Sequence, residues 1–505
     1  MSPAKGLQGT ATQSGRPHTV AKKMFIGGEF VDAISGRTFA SVNPFDGTPW
    51  AEVPDADHAD VDRAVQSARH AFPEWAAVSG TARSRLLRRL ADIIERDAEE
   101  LGRIETQDNG KLLREMVGQM HALSDYYHYF AGLADKIQGD VIPTQQPSYL
   151  AYTVREPVGV VAAITPWNSP ILLMAWKLAP ALAAGCTFVV RPSEHTPVST
   201  LAFAERVHEA GFPPGVFNVV TSVSPDVGRA LASHPDVDKV AFTGSTAVGI
   251  DVGMSAMRNL TGVVLELGGK SAQVVFADAN LDAAANGVIS GIFAATGQTC
   301  MAGSRLLVED SIHDDFVQSV VDRAEAIKLG DPAAVDTEMG PVSNPAQFAK
   351  IQSFLEKVSS DGGKIVCGGR ADPVLGGLFM QPTVITGTAP GMSVVDEEIF
   401  GPVLAVSKFK DEEEAIRMAN GTPYGLAGAV WTQNLGRAHR VAHQLRAGTV
   451  WINAYRVVGP GVPFGGVKHS GLGRENGIDA IREYTETKSI WVNLSNEPRN
   501  PFVLG

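Results

Sequence analysis

At 505 residues, with 44% apolar and 19% charged side chains, the chain is neither disordered nor fibrous and is long enough to bury two or more large cores. Its 43 Lys and Arg against 55 Asp and Glu leave a net charge of −12 with no long basic run, which argues against nucleic-acid or anionic-membrane partners. Cys186, Cys300 and Cys367 stand alone, giving neither a disulfide scaffold nor metal-ligand spacing, and fit a reducing, cytoplasmic compartment.

In chain order, the first twenty residues are rich in Gly, Ser and Thr and read as a loose tail. Asp60 to Phe72 and Thr81 to Thr106 have the charge pattern of long amphipathic helices. Thr144 to Arg155 alternates polar and apolar, as does Ser489 to Asn493. Two exposed strand segments need a cover, and a second subunit is the natural one. From Val158 the pattern becomes strand (158–164), helix (171–185), strand (187–190), helix (198–211), strand (215–220), helix (226–234), strand (238–243), helix (245–257) and strand (262–267). Nearly all-apolar strands alternating with helices predict a parallel sheet covered on both faces. Ile171 to Val190 has bilayer length, but Lys177 and Pro180 inside it favour a core helix followed by a buried strand. A second series follows with strands at 273–276, 305–309, 403–409, 428–432 and 448–453. Helices around Asp282 to Ala295, Phe316 to Lys328, Asp411 to Ala419 and Leu435 to Leu445 alternate with them. The fold class is therefore α/β, with two doubly wound parallel-sheet domains and a small β extension. The expected division is 1–136 with 158–267, then 268–475, with 137–157 and 485–497 as extension strands.

Sheets of this kind bind ligands at the carboxyl ends of their strands, and the residues with chemical potential fall there. Thr165 to Asn168 (TPWN) joins a buried strand to a helix, where Asn168 is either a helix cap or a functional amide. In Phe242 to Thr246 (FTGST), Gly244 permits close backbone approach and Ser245 opens a helix, a geometry suited to phosphate. No strand is followed by Gly-x-Gly-x-x-Gly, and LGGKS lacks the upstream glycine of a P-loop because Val264 stands there. Cys300 has small polar neighbours that leave a thiol reachable, although no His lies within twenty residues. Glu266 closes an apolar strand, where burial raises a carboxyl towards the range of a general base unless Lys270 or Lys177 pairs with it.

Taken together, TPWN (165–168), RPSE (191–194), FTGST (242–246), ELGGKS (266–271), GQTC (297–300), EEIFGP (397–402) and PFGG (463–466) resemble the aldehyde dehydrogenase superfamily, from about Phe25 to Asn493. The resemblance implies oxidation of a small-molecule aldehyde to an acid with NAD, through a thiohemiacetal and thioester on Cys300. It implies Asn168 in the oxyanion hole, Glu266 as base for the hydrolytic water and Lys177 near the reacting atoms. Arg474 and Glu475 belong to a stretch taken as structural. For the cofactor it implies Thr165, Trp167, Arg191, Glu194, Gly244, Ser245, Glu398 and Phe400. Glu194 favours NAD, while Arg191, where the family usually has Lys, also admits NADP. The substrate tunnel corresponds to Leu172, Leu173, Trp176, Arg456, Val458 and Phe464, with Ser169 where some relatives have an aromatic ring. Arg456 is either a surface arginine or a selector for a distal carboxylate. No metal is expected, and the assembly is expected to be a homodimer or homotetramer. The alternatives are a CoA-acylating semialdehyde dehydrogenase and, from another class, a cysteine hydrolase or acyl transferase.

Overall fold

The computed structural model describes residues 19–496 and 501–502, so the tail expected at the N-terminus lies almost wholly outside the described residues. The first large sheet has a parallel centre in the order Gly262–Glu266, Lys239–Thr243, Val160–Thr165, Thr187–Pro192, Phe217–Val219. Gly471–Leu472 extends one edge antiparallel, and the hairpin Met24–Ile26 with Glu29–Val31 extends the other. Val160–Thr165 is buried at every position, as a strand covered on both faces must be. Its register sets Ile164 beside Arg191 and Phe242, while Thr243 pairs with Glu266. Thr165, Arg191, Thr243 and Glu266 therefore emerge along one carboxyl edge.

The second sheet runs Lys364–Cys367, Thr383–Thr386, Val403–Phe409, Arg305–Glu309, Ala272–Val275, Ala427–Trp431, Thr449–Ile452. All its pairings are parallel except the first. The helix Pro170–Ala184 buries every residue but Leu172, and the strand Thr187–Pro192 follows it. That confirms the core reading of the 171–190 stretch, and no described helix is long and apolar enough to cross a membrane.

Three expectations change. The helix expected over Thr81 to Thr106 is two, Gly80–Arg96 and Ala98–Asn109. Asp97 breaks it, held outside helical geometry at ψ 13 while Arg96 and Arg206 bind its carboxylate. A further helix, Leu113–Leu133, was not expected, although Met116, Met120, Leu123, Tyr127 and Phe130 repeat at helical spacing and are buried. The two exposed strand segments also cover each other: Tyr149–Pro157 pairs antiparallel with Thr485–Asn493 along its whole length. Their sheet still exposes Val141, Ile142, Leu150, Trp491 and Val492.

Candidate active site

A cavity of about 110 Å³ opens at the carboxyl edge of the first sheet, lined by Trp167, Asn168, Leu173, Thr243, Gly244, Ser245, Glu266 and Cys300. Gln347, Lys350, Glu398 and Phe400, from the chain around the second sheet, complete its lining. A larger cleft of about 390 Å³ shares Trp167 and Thr243 to Ser245 with it and continues past Thr165, Arg191 and Glu194 to Pro225, Val248 and Val252.

Local sequence explains how these side chains arrive. Pro166 ends the strand and Pro170 begins the next helix, leaving Asn168 in the turn between them. Ser169, not Asn168, occupies the N-cap position, and the Asn168 Nδ2 donates to the Gln298 carbonyl at 3.0 Å. The capping alternative for Asn168 is thereby removed. Cys300 follows the helix Leu281–Ile292 through a sharp kink in which Ala295 and Thr296 have φ of 54° and 58°. Such angles are uncommon outside glycine and mark backbone held in place by its surroundings. The glycines of ELGGKS, which the missing upstream glycine already excludes from a P-loop, serve close approach. A Cβ on Gly269 would lie 2.4 Å from the Cys300 carbonyl, and one on Gly268 2.5 Å from Glu398 Oε2. Glu398 Oε1 in turn accepts from the Gly269 N–H at 2.9 Å. Any larger residue at either glycine displaces the thiol loop or the carboxylate.

Glu266 is 4% exposed, and neither carboxylate oxygen has a hydrogen-bond partner. Burial first, then the neighbouring charge of Glu475, holds its pKa well above the ordinary carboxyl range, with Lys177 and Arg474 opposing. Neither lysine pairs with it. Lys177 donates to Thr243 Oγ1 at 2.6 Å and forms a buried ion pair with Glu475. Glu475, read from sequence as structural, thus stands in the electrostatic shell of the site. Burial pushes the half-buried Cys300 thiol up to about 12, and the charges of Glu266 and Glu398 add to that. The resting sulfur is a thiol that needs a base close by.

The cofactor candidates from sequence share the two cavities, Phe400 with φ of 61° meeting Trp167 edge-on at 5.3 Å. Arg191 is held by Glu194 at 3.2 Å and by the Ser222 carbonyl at 2.9 Å, while its Nε and the buried Thr165 hydroxyl lack partners. Leu173, Trp176 and Phe464 pack with Tyr126 and Leu426, and Leu172, Cys300 and Met301 lie against them. Arg456 is neither a free selector nor a surface arginine: Glu115 binds it at 2.9 Å, with both side chains about four-fifths covered. Val458 is 37% exposed and stands outside the small cavity. Sequence reading missed Gln347 and Lys350, whose helix Pro345–Lys357 carries no distinctive motif, and Pro225, Val248 and Val252, which look like ordinary helix residues. Gln347 Nε2 donates to the Ile399 and Phe400 carbonyls at 2.7 and 2.9 Å, fixing the segment that carries Glu398.

Comparison with known proteins gives a consistent result. The model of the aldehyde dehydrogenase family matches residues 30–490. A (Z)-2-((N-methylformamido)methylene)-5-hydroxybutyrolactone dehydrogenase of Acinetobacter baylyi is 46% identical over 95% of this chain and 99% of that protein. Human retinaldehyde dehydrogenase 3 is 45% identical over 95% of this chain and 94% of its own length. The crystal structure of betaine aldehyde dehydrogenase from Staphylococcus aureus in complex with NAD+ superposes with a TM-score of 0.94 at 41% identity, covering 96% of this chain and 97% of that one.

Proposed function

The chain belongs to the aldehyde dehydrogenase family, and from that premise we propose how its residues divide the work of NAD-dependent aldehyde oxidation. The reading rests on one observation: Cys300, Asn168 and Glu266 line a single cavity that shares a wall with a long cleft suited to a dinucleotide.

The cleft fits the cofactor. Ser245 caps the twelve-residue helix Thr246–Met257, so free N–H groups and the helix dipole favour a pyrophosphate beside Trp167. Pro225, Val248 and Val252 offer apolar surface to an adenine ring. The unpartnered Thr165 hydroxyl and Arg191 Nε offer polar contacts, Glu194 accepts from ribose hydroxyls, and Glu398 does so at the nicotinamide end. The Glu194 carboxylate also disfavours a 2′-phosphate, and its grip on Arg191 withholds the cation that would offset this, so NAD is preferred over NADP.

Bound NAD supplies the hydride acceptor. Cys300 Sγ bonds to the aldehyde carbon as its proton passes to a base, and the carbonyl oxygen becomes an alkoxide. The Asn168 amide and the Cys300 backbone N–H meet that charge, each such donor being worth about 3 kcal/mol. Loss of hydride leaves a thioester on Cys300. Glu266 then takes a proton from water, whose oxygen bonds to the acyl carbon while the C–S bond breaks, restoring the thiol and releasing the acid. Lys177 and Glu475 shape the field at Glu266, and the burial of that carboxyl suits it to accept a proton. An intact, unpartnered Glu266 supports water as acyl acceptor over CoA. The exposed apolar residues of the small antiparallel sheet support a homo-oligomer, and the isolated cysteines support a cytoplasmic setting.

The test is an aldehyde panel with NAD and NADP, followed at the nicotinamide absorbance. Reduction with NAD at lower KM than with NADP, abolished in Cys300→Ser, is expected. Turnover by Cys300→Ser, or no reduction with any aldehyde, would overturn the assignment.

A further inference from the structure

The side-chain amide of Asn168 carries two N–H groups on Nδ2. One is spent on the Gln298 carbonyl at 3.0 Å, which leaves the other for an alkoxide on the substrate. That arrangement lasts only if the turn carrying Asn168 cannot swing. The turn has little of its own to stop it. Pro166 and Pro170 lack N–H groups, and among the described residues no backbone N–H of Trp167, Asn168 or Ser169 donates to another backbone group. Trp167 is held separately, edge-on against Phe400.

The hold on the other side of Asn168 comes through Ser169. A serine at an N-cap ordinarily accepts from the second or third amide of its helix. Ser169, 5% exposed, makes no such bond. Its Oγ instead accepts from Lys111 Nζ at 2.9 Å, in a buried contact between residues 58 positions apart. Lys111 is itself fixed in the turn between the helices Ala98–Asn109 and Leu113–Leu133: its backbone N–H donates to Oδ1 of the buried Asn109 at 2.9 Å. Lys111 lines neither the cavity of Cys300 nor the cofactor cleft. Burial lowers its pKa, and the bond to Ser169 is available in either protonation state, because an amine and an ammonium both have N–H to donate.

Resting on the dehydrogenase reading above, we propose that Lys111 is a positioning residue for the oxyanion site: its bond to Ser169 pins the turn so that the free N–H of Asn168 faces the reacting carbonyl oxygen. It touches neither substrate nor cofactor and acts only through Ser169.

The experiment measures single-turnover NADH formation, at saturating NAD and with the fastest aldehyde of the panel. It compares wild type, Ser169→Ala, Asn168→Ala and the double variant Asn168→Ala with Ser169→Ala. Ser169→Ala should lose about tenfold in rate, the size expected of a small misplacement beside the reacting atoms, with the KM for NAD within about twofold of wild type. In the Asn168→Ala background the same change should cost less than about twofold, because no amide is left to misplace. A general disturbance of the fold would cost the same in both backgrounds. A Ser169→Ala rate within about twofold of wild type, an equal loss in both backgrounds, or a loss carried by the KM for NAD overturns the proposal. Ser169→Ala leaves the buried Nζ without a partner, so Lys111→Met with Ser169→Ala, which removes both halves of the bond, is measured beside it. That pair should show the same loss, and it decides alone should the single variant fail to fold. Wild-type enzyme that reduces NAD with none of the aldehydes sinks the dehydrogenase reading itself, whereas a normal wild-type rate unmoved by these substitutions sinks only the role of Lys111.

Discussion

Replacing Glu266 by Gln keeps the shape of the side chain and removes both its charge and its basicity, so the two halves of the reaction should respond differently. Burial pushes the Cys300 thiol up to about 12, an upward offset that leaves little thiolate at pH 8. The Glu266 charge is the second contributor to that offset after burial, so its removal eases ionisation of the sulfur. This gain partly compensates any loss of proton transfer in acylation. Deacylation has no such compensation, since an unactivated water must attack the thioester. A positioned general base is worth about 10²–10⁴-fold, or about 3–5.5 kcal/mol. Stopped-flow mixing of Glu266→Gln with NAD and an aldehyde should therefore give a burst approaching one NADH per active site, then a steady state 10²–10⁴-fold below wild type. A steady state within threefold of wild type would remove Glu266 as the base. A loss of that size with no burst would place its role in acylation instead.

Two more outcomes follow from the same geometry. Asn168→Ala should lower kcat by 10²–10³-fold with little change in KM for NAD, because the amide acts on a charge that exists only in the transition state; steady-state kinetics check this, and a loss confined to the NAD KM would contradict it. Glu105→Gln tests the buried carboxyl. Its folded pKa of about 8 lies above the ordinary carboxyl value, so its contribution to stability is fully present below about pH 4.5 and is lost as pH rises through 8. Thermal melts should show Glu105→Gln close to wild type at pH 5 and more stable than wild type at pH 9, and the reverse order would contradict the burial argument.

Most of the edge chemistry was legible because strand period and turn composition place it. A run such as VGVVAAI followed by TPWN has one sensible arrangement, and the structure puts Asn168 where that arrangement requires. Cys300 and Glu266 share a cavity although 34 positions separate them in the chain. Only the family pattern linked them, since no local period reports a contact between two sheets. The break at Asp97 was hidden because its cause is a distant arginine, Arg206. The helix Leu113–Leu133 could have been found from its buried repeat. The fate of Arg456 could not, because Glu115 lies 341 positions away. Long-range ion pairs of this kind decide which charges are free to meet a substrate.

The proposed reaction passes through a covalent acyl intermediate on one sulfur. Acid quench of Glu266→Gln after mixing with NAD and aldehyde, followed by peptide mass spectrometry, measures it directly. One acyl group per chain is expected on the peptide containing Cys300, absent without NAD and absent in the double variant Cys300→Ser with Glu266→Gln. An acyl group on Cys186 or Cys367, or NADH formed in the burst with Cys300 unmodified, would contradict it.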